Sequence, residues 1–368
     1  MKQLTAMDKG FLLAESREVP MHVGGVSLYT LPEGADAAEF LQSLATNLGD
    51  AEEFLPPFGD RLKMGRLGLA GPTFWEPDPA LDLDYHVRHS ALPQPGRYRE
   101  LFTLVSRLHA TLLDRNRPLW EMHLIEGLQN RQFAVYSKTH HAAVDGARSV
   151  HIARSMLSAD PASRLQESPL SLASWKRYRA TLKRQQSGGP SDAQVRNVVD
   201  ALKASFDSGA QFYSAARRIT RAWTGEDNLL LPFLKVPTSP INTSVDGARR
   251  FVAQSWPFAR IKAVARAYDG TFNDAVLAMC GGALRKYLQN HAELPEESLK
   301  AMVPVSVRAE GDVDSSNAVA SINADLGTNI QDPARRFAAI KASTEAGKAL
   351  FTDMSPGEAT LFSMLLQT

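Results

Sequence analysis

A two-domain α/β protein is the fold class this sequence predicts, on three observations. Its 368 residues exceed what a single hydrophobic core usually serves. Strand-like and helix-like apolar patterns alternate through residues 1–160 and again through 246–368, an order that favours layered α/β packing over a helical bundle. Residues 161–245 between them change texture, with Pro161, Pro169, Gly188-Gly189-Pro190, Pro232, Pro237 and Pro240 breaking any long pattern, so this stretch reads as an inter-domain connection.

The first domain opens with a strand over residues 21–31, stopped by Pro32-Glu33-Gly34, and an amphipathic helix over 37–48 with Phe40, Leu41, Leu44 and Leu48 at helical spacing. Residues 65–71, rich in glycine, match neither a dinucleotide-binding fingerprint nor a P-loop and read as a turn region. Alternation over 81–92 predicts a second strand, ended by Pro93 and Pro95. A helix follows over 98–113, where Leu101, Leu104, Val105, Leu108 and Leu112 make one stripe. Two strands over 119–125 and 132–139 flank a turn at Gly127-Leu128-Gln129-Asn130, and a helix-like stretch covers 147–157.

Within the connection, Lys176, Arg177, Arg179, Lys183 and Arg184 form a basic stretch. A helix pattern through Val195, Val198, Leu202, Phe206 and Tyr213 follows it. Its basic face suits either an anionic lipid surface or plain solvation. The second domain is expected to run strand (250–256), helix (258–268), helix (271–288), strands (300–307 and 318–326) and helix (333–350). Thr271 is placed to cap its helix with Asp274 in the first turn. Gly281-Gly282 inside that helix costs about 1 kcal/mol per glycine relative to alanine, which points to close approach of another element or a ligand.

Composition narrows the function classes. A net charge of +1 argues against a dedicated nucleic-acid binder. The single cysteine, Cys280, precludes an intramolecular disulfide and fits a reducing compartment. The N-terminus lacks the apolar core of a signal peptide, and no apolar run reaches membrane-spanning length. A cytoplasmic location is expected, with any membrane or lipid-inclusion contact peripheral.

Chemistry concentrates in Lys138-Thr139-His140-His141-Ala142-Ala143-Val144-Asp145-Gly146, two adjacent histidines ahead of an Asp-Gly turn. Neighbouring side chains on a strand point to opposite faces, so one histidine can face a cavity while the other packs behind it. An imidazole with an ordinary pKa of about 6.5 suits proton abstraction from a hydroxyl near neutral pH. Taken alone such a pair is more often structural than catalytic, with Asp145 simply an N-cap. A zinc site is not expected, because adjacent strand residues diverge and cannot converge on one ion.

The segment resembles the HHxxxDG signature of the coenzyme A-dependent acyltransferase superfamily, and further segments resemble its wax ester synthase/diacylglycerol acyltransferase family. These are Pro20-Met21-His22-Val23-Gly24-Gly25, Asp84-Tyr85-His86-Val87-Arg88-His89, the PLW-like Pro118-Leu119-Trp120, the ND-like Asn273-Asp274, and Val303-Pro304-Val305-Ser306-Val307-Arg308. The resemblance implies a two-domain chloramphenicol acetyltransferase-like fold and acyl transfer from long-chain acyl-CoA to a fatty alcohol or to diacylglycerol. It implies acyl-CoA as co-substrate and no resident cofactor or metal. His141 would be the general base midway along a channel between the domains, with His140 and Gly146 supporting the motif. Asp145 would be a structural carboxylate paired with Arg308. Pro118, Leu119, Trp120, Asn273 and Asp274 would line the channel or support the site. Family members continue through an Asn-Val-Pro-Gly-Pro turn that this sequence lacks, so an incomplete second domain is expected. The alternatives are a condensation- or polyketide-type acyltransferase, an inactive fragment, or a non-catalytic lipid-surface protein of the same fold.

Overall fold

The computed structural model describes residues 1–144, 146–160, 167–186, 236–291, 293–306 and 319–349. Two compact units emerge: Met1–Gly188 with Val245–Ala253, and Gly189–Ser244 with Gln254–Thr368.

The first unit begins with a short strand β1 (Lys2–Gln3) and helix α1 (Ala6–Ala14). Thr5 and Asp8 cap α1 reciprocally, each side chain accepting the other's backbone N–H at 3.1 Å. Strand β2 (His22–Thr30) and helix α2 (Ala37–Gly49) follow as their patterns predict. Strands β3 (Asp60–Gly65) and β4 (Gly68–Pro77) form a hairpin whose turn is the glycine-rich stretch, and β1 pairs with β4 to complete a three-stranded antiparallel sheet.

Residues 81–92, expected as one strand, divide into a helical turn α3 (Leu83–His86) and a strand β5 (Val87–Ala91). The cause is local: Asp82 accepts the Tyr85 N–H at 3.2 Å and caps a turn before the chain can extend. Helix α4 (Tyr98–Ala110) leads to strands β6 (Trp120–Glu126) and β7 (Gln132–His140), then to helices α5 (Gly146–Ser155) and α6 (Leu172–Gln186). The basic stretch of the connection is thus part of α6, while the helix pattern from Val195 onward lies outside the described residues.

The main sheet runs β2-β7-β6-β5, antiparallel except for the parallel β5–β6 pair. Central strand β6 is buried from Trp120 through Ile125, so even its alternating polar residues Glu121 and His123 lie inside. On one face Ile125 of β6, with Ala134 and Tyr136 of β7, packs against Leu101 and Val105 of α4. On the other, α2 contributes Phe40, whose ring lies 5.6 Å from that of Phe133. This parity decides where each histidine of the motif goes.

Residues 250–256, expected as a strand, carry no regular structure. Phe251 sends its N–H to Ser106 Oγ of α4 at 2.8 Å and sets its ring against Phe102. The apolar alternation there serves packing on α4, not a strand ladder.

The second unit holds helices α7 (Phe258–Ala267) and α8 (Phe272–Asn290), an antiparallel pair β8 (Lys300–Ser306) and β9 (Val319–Asp325), and helix α9 (Pro333–Ala349). Its core joins Leu277 and Leu288 of α8 to Val303, Ile322, Ala324, Leu326 and Ile340. The paired glycines of α8 now separate in role. A Cβ on Gly281 would lie 2.1 Å from the Leu326 carbonyl oxygen, whereas one on Gly282 would meet only the end of Arg336, at 3.3 Å. Gly281→Ala is expected to lower the melting temperature of this unit, at a cost of at least the ~1–3 kcal/mol typical of overpacking, because backbone must shift. Gly282→Ala should stay within about 1 kcal/mol of the parent, helix propensity offsetting a displaced side chain. Melting curves of the two variants that coincide would contradict this assignment.

Candidate active site

Strand β7 carries Tyr136, Lys138 and His140 on the α4 side of the sheet, and Ser137 and Thr139 on the other. His140 ends the strand facing His22 of β2, fully buried. His141 is the first residue of the turn beyond it and is half-buried. The turn is closed by the Ala143 and Val144 N–H groups donating to the His140 carbonyl at 2.9 and 3.3 Å. The His141 N–H donates to the Met21 carbonyl at 2.8 Å, and its ring stacks on Phe11 of α1 with centroids 4.2 Å apart. The two imidazoles therefore take different partners at the end of α1, His141 the ring of Phe11 and His140 the carboxylate of Glu15.

His140 is fixed through Nδ1, with Nε2 buried against a carboxylate. The Ala142 N–H donates to Nδ1 at 3.0 Å, which leaves the ring proton on Nε2. Nε2 lies 3.4 Å from Glu15 Oε1. Glu15 also accepts the Met21 N–H at 3.2 Å and is held by Arg115 Nη2 at 3.0 Å. Burial of the Glu15 side chain works to raise its pKa. The contacts to His140, Arg115 and Met21 outweigh it and hold the carboxyl down at about 2.

A second polar cluster lies under the same sheet, against α4. Lys138 is buried and donates from Nζ to the carbonyls of Leu108 and Thr111 at 3.0 and 2.8 Å, closing the end of α4. Glu121 of β6 stands 3.3 Å from that ammonium and 3.4 Å from His123 Nε2. Burial pushes the Lys138 pKa down, against the pull of Glu121. His22 donates from Nε2 to the His109 carbonyl at 2.8 Å, and burial, with Lys138 nearby, lowers its pKa to about 4. Gly24 of β2 must lack a side chain, because a Cβ there would lie 2.9 Å from both His109 Nδ1 and the Tyr136 hydroxyl.

The remaining expected site residues fall as follows. Pro118, Leu119 and Trp120 are all buried at the start of β6, beside the motif. The Leu119 carbonyl accepts the His140 N–H at 3.0 Å, and the Trp120 indole donates to the Phe58 carbonyl at 2.9 Å while stacking on His86. Gly146 opens α5. Asp145 and Arg308 lie outside the described residues. In the second unit Asn273 is exposed, and Asp274 is buried as the capping partner of Thr271, accepting also from Thr344 of α9 at 2.8 Å. Among the described residues no cluster of three or more His, Cys, Asp or Glu is placed to hold a metal ion, and no helix is long and apolar enough to cross a membrane.

Three residues that frame the motif escaped sequence reasoning: Phe11, Glu15 and Arg115. The usable signal was the Thr5-Ala6-Met7-Asp8 capping box ahead of Phe11 and Leu12, which announces α1. Nothing local announces Arg115, which reaches Glu15 across 100 residues.

Comparison with known proteins adds independent findings. The sequence profile described as wax ester synthase/diacylglycerol acyltransferase catalytic domain matches residues 4–276. The Mycobacterium tuberculosis protein tgs2, whose name is that of a diacylglycerol O-acyltransferase, is 43% identical over 348 residues, covering 94% of this chain and 74% of its own. The O-acyltransferase WSD of Acinetobacter baylyi is 35% identical over 367 residues, covering 100% of this chain and 76% of its own. Among solved structures, the wax ester synthase/diacylglycerol acyltransferase of Marinobacter aquaeolei VT8 superposes with a TM-score of 0.70 at 36% identity, over 99% of this chain and 75% of that one. The first condensation domain of the calcium-dependent antibiotic synthetase shares the fold, with a TM-score of 0.55 at 16% identity over 99% of this chain and 77% of that one.

Proposed function

The chain belongs to the wax ester synthase/diacylglycerol acyltransferase family, and from that premise we propose that it transfers a long acyl chain from acyl-CoA to a fatty alcohol or to diacylglycerol, with His141 as general base. One observation carries the reading: of the two motif histidines, His140 is consumed by buried contacts on both nitrogens, while His141 is half-buried beyond the strand end. A base must reach a substrate hydroxyl within hydrogen-bond distance, which a sealed ring cannot do.

The chemistry then runs without a protein nucleophile. His141 takes the hydroxyl proton as the alcohol oxygen attacks the thioester carbonyl, giving a tetrahedral intermediate and an imidazolium. Collapse breaks the carbon–sulfur bond, the thiolate of CoA takes the proton back, and the ester is released. Asp145 serves in this reading as a structural carboxylate with Arg308 as its partner. Pro118, Leu119 and Trp120 support the site from behind through the Leu119–His140 backbone bond. Asn273 and Asp274 remain the family-like pair at the start of helix α8, which Asp274 caps. A peripheral lipid contact fits acceptors that partition into membranes, and the basic residues of α6 are its candidate surface.

The direct test is CoA release from palmitoyl-CoA with hexadecanol, with diacylglycerol and without acceptor, the ester products being identified by mass spectrometry. Acceptor-dependent release with formation of the matching ester is expected. Release that is independent of any hydroxyl acceptor would refute the assignment.

A further inference from the structure

We infer that Glu15, at the C-terminal end of α1, is the positioning residue for His141, the carboxylate on which both backbone anchors of that histidine end. The inference rests on the reading of His141 as the base and adds a named support to it.

The first anchor runs from the His141 N–H to the Met21 carbonyl at 2.8 Å, and from the Met21 N–H to Glu15 Oε1 at 3.2 Å. The second runs from the Ala142 N–H to His140 Nδ1 at 3.0 Å, and from His140 Nε2 to the same Oε1 at 3.4 Å. The peptide unit before His141 is thus hydrogen-bonded through to this oxygen, and the one after it reaches the same oxygen through the 3.4 Å contact of the His140 ring. The other oxygen, Oε2, belongs to Arg115, which donates from Nη2 at 3.0 Å and from Nε at 3.3 Å. Arg115 Nη2 also donates to the Leu12 carbonyl at 2.7 Å, so the guanidinium locks the carboxylate plane to α1 itself. One turn upstream on the same helix, Phe11 stacks on the His141 ring. The last turn of α1 therefore sets the backbone of His141 through Glu15 and its ring through Phe11.

Charge and shape both matter in this arrangement. Every group around Glu15 is a donor: two from Arg115, the Met21 N–H and the protonated Nε2 of His140. A carboxylate accepts from all of them, and a glutamine cannot. Whichever way the amide turned, its NH₂ would face either Arg115 or the Met21–His140 pair, donor against donor. The turn presenting His141 would then lose one of its two anchors. Misplacement of a catalytic group by about 1 Å can cost roughly 100-fold in rate, so a small release at this turn has a large consequence.

The experiment is Glu15→Gln in the full chain, beside the parent and His141→Ala. Palmitoyl-CoA and hexadecanol serve as substrates, and amide hydrogen exchange is followed in peptides covering residues 137–144. Expected are a kcat lower by about 10- to 100-fold at KM values within 2-fold of the parent, and exchange at least 10-fold faster over 137–144, with α4 unaffected. Exchange and kcat both unchanged overturn the inference. A lowered kcat without faster exchange also overturns it, since Glu15 would then act other than by holding the backbone. If His141→Ala keeps full activity, the base reading falls instead, and exchange alone decides whether Glu15 fixes this turn. Should Glu15→Gln fail to fold, Arg115→Lys, which loosens the carboxylate without removing it, is scored on the same readouts.

Discussion

His141→Ala is expected to lower CoA release from palmitoyl-CoA with hexadecanol by at least 100-fold, and up to about 10,000-fold, the range that a positioned general base contributes. Stability should barely move. The ring is half-buried, and its stack on Phe11 is worth about 1 kcal/mol. His140→Ala gives the opposite profile. It empties a fully buried site and removes the acceptor of the Ala142 N–H, a large-to-small core change that typically costs about 2–5 kcal/mol, so the melting temperature falls together with activity. The contrast separates chemistry from scaffolding at adjacent positions. It is read by measuring melting temperature and turnover on both variants. Should His141→Ala keep more than a tenth of the parent rate while His140→Ala folds normally and is dead, the roles of the two rings are reversed.

Much of this arrangement was legible in the residue order, because local rules govern it. Strand parity already required different surroundings for His140 and His141, and the α4 stripe of Leu101, Val105 and Leu108 fixed which face of the sheet is covered. The Thr271–Asp274 cap and the close approach at Gly281 were likewise written locally. Long-range polar pairing was not. Glu15 reads as an ordinary charged residue at a helix end, and only the fold brings Arg115 and His140 onto it. Lys138 in a strand would ordinarily signal an exposed face, yet it is buried because α4 ends above it and offers two carbonyls. Two segments depart from expectation for local reasons: within 81–92 a side-chain cap turns the chain, and in 250–256 the Phe251 N–H goes to Ser106 instead of to a strand partner.

Acid should unfold the first unit early, through two groups on either side of the β2–β7 register. His22 is held neutral, with a pKa near 4 against an ordinary 6.5, because burial disfavours the cation and Lys138 repels it, which together outweigh the hydrogen bond from Nε2 to the His109 carbonyl. Its unfolded form therefore binds a proton from pH 6.5 downward while the folded form does not until about pH 4, so stability falls as pH drops through that window. At 1.36 kcal/mol per pH unit the loss is on the order of 3 kcal/mol. Glu15 continues the trend lower down. Its carboxyl titrates near 2 when folded and near 4.5 when free, so its ion pair with Arg115 supplies stability above pH 4.5 that disappears between 4.5 and 2. This second loss is again on the order of 3 kcal/mol. The two together, on the order of 6–7 kcal/mol, unfold a domain at the lower end of the typical range of about 5–15 kcal/mol and strip a more stable one of a large share of its margin. His22→Gln tests the upper window, because a glutamine amide can still donate to the His109 carbonyl but does not titrate. Its melting temperature should fall less steeply than the parent's between pH 7 and 4, and the two curves should run parallel below pH 4. Curves parallel across the whole range would mean that His22 is not the group that titrates.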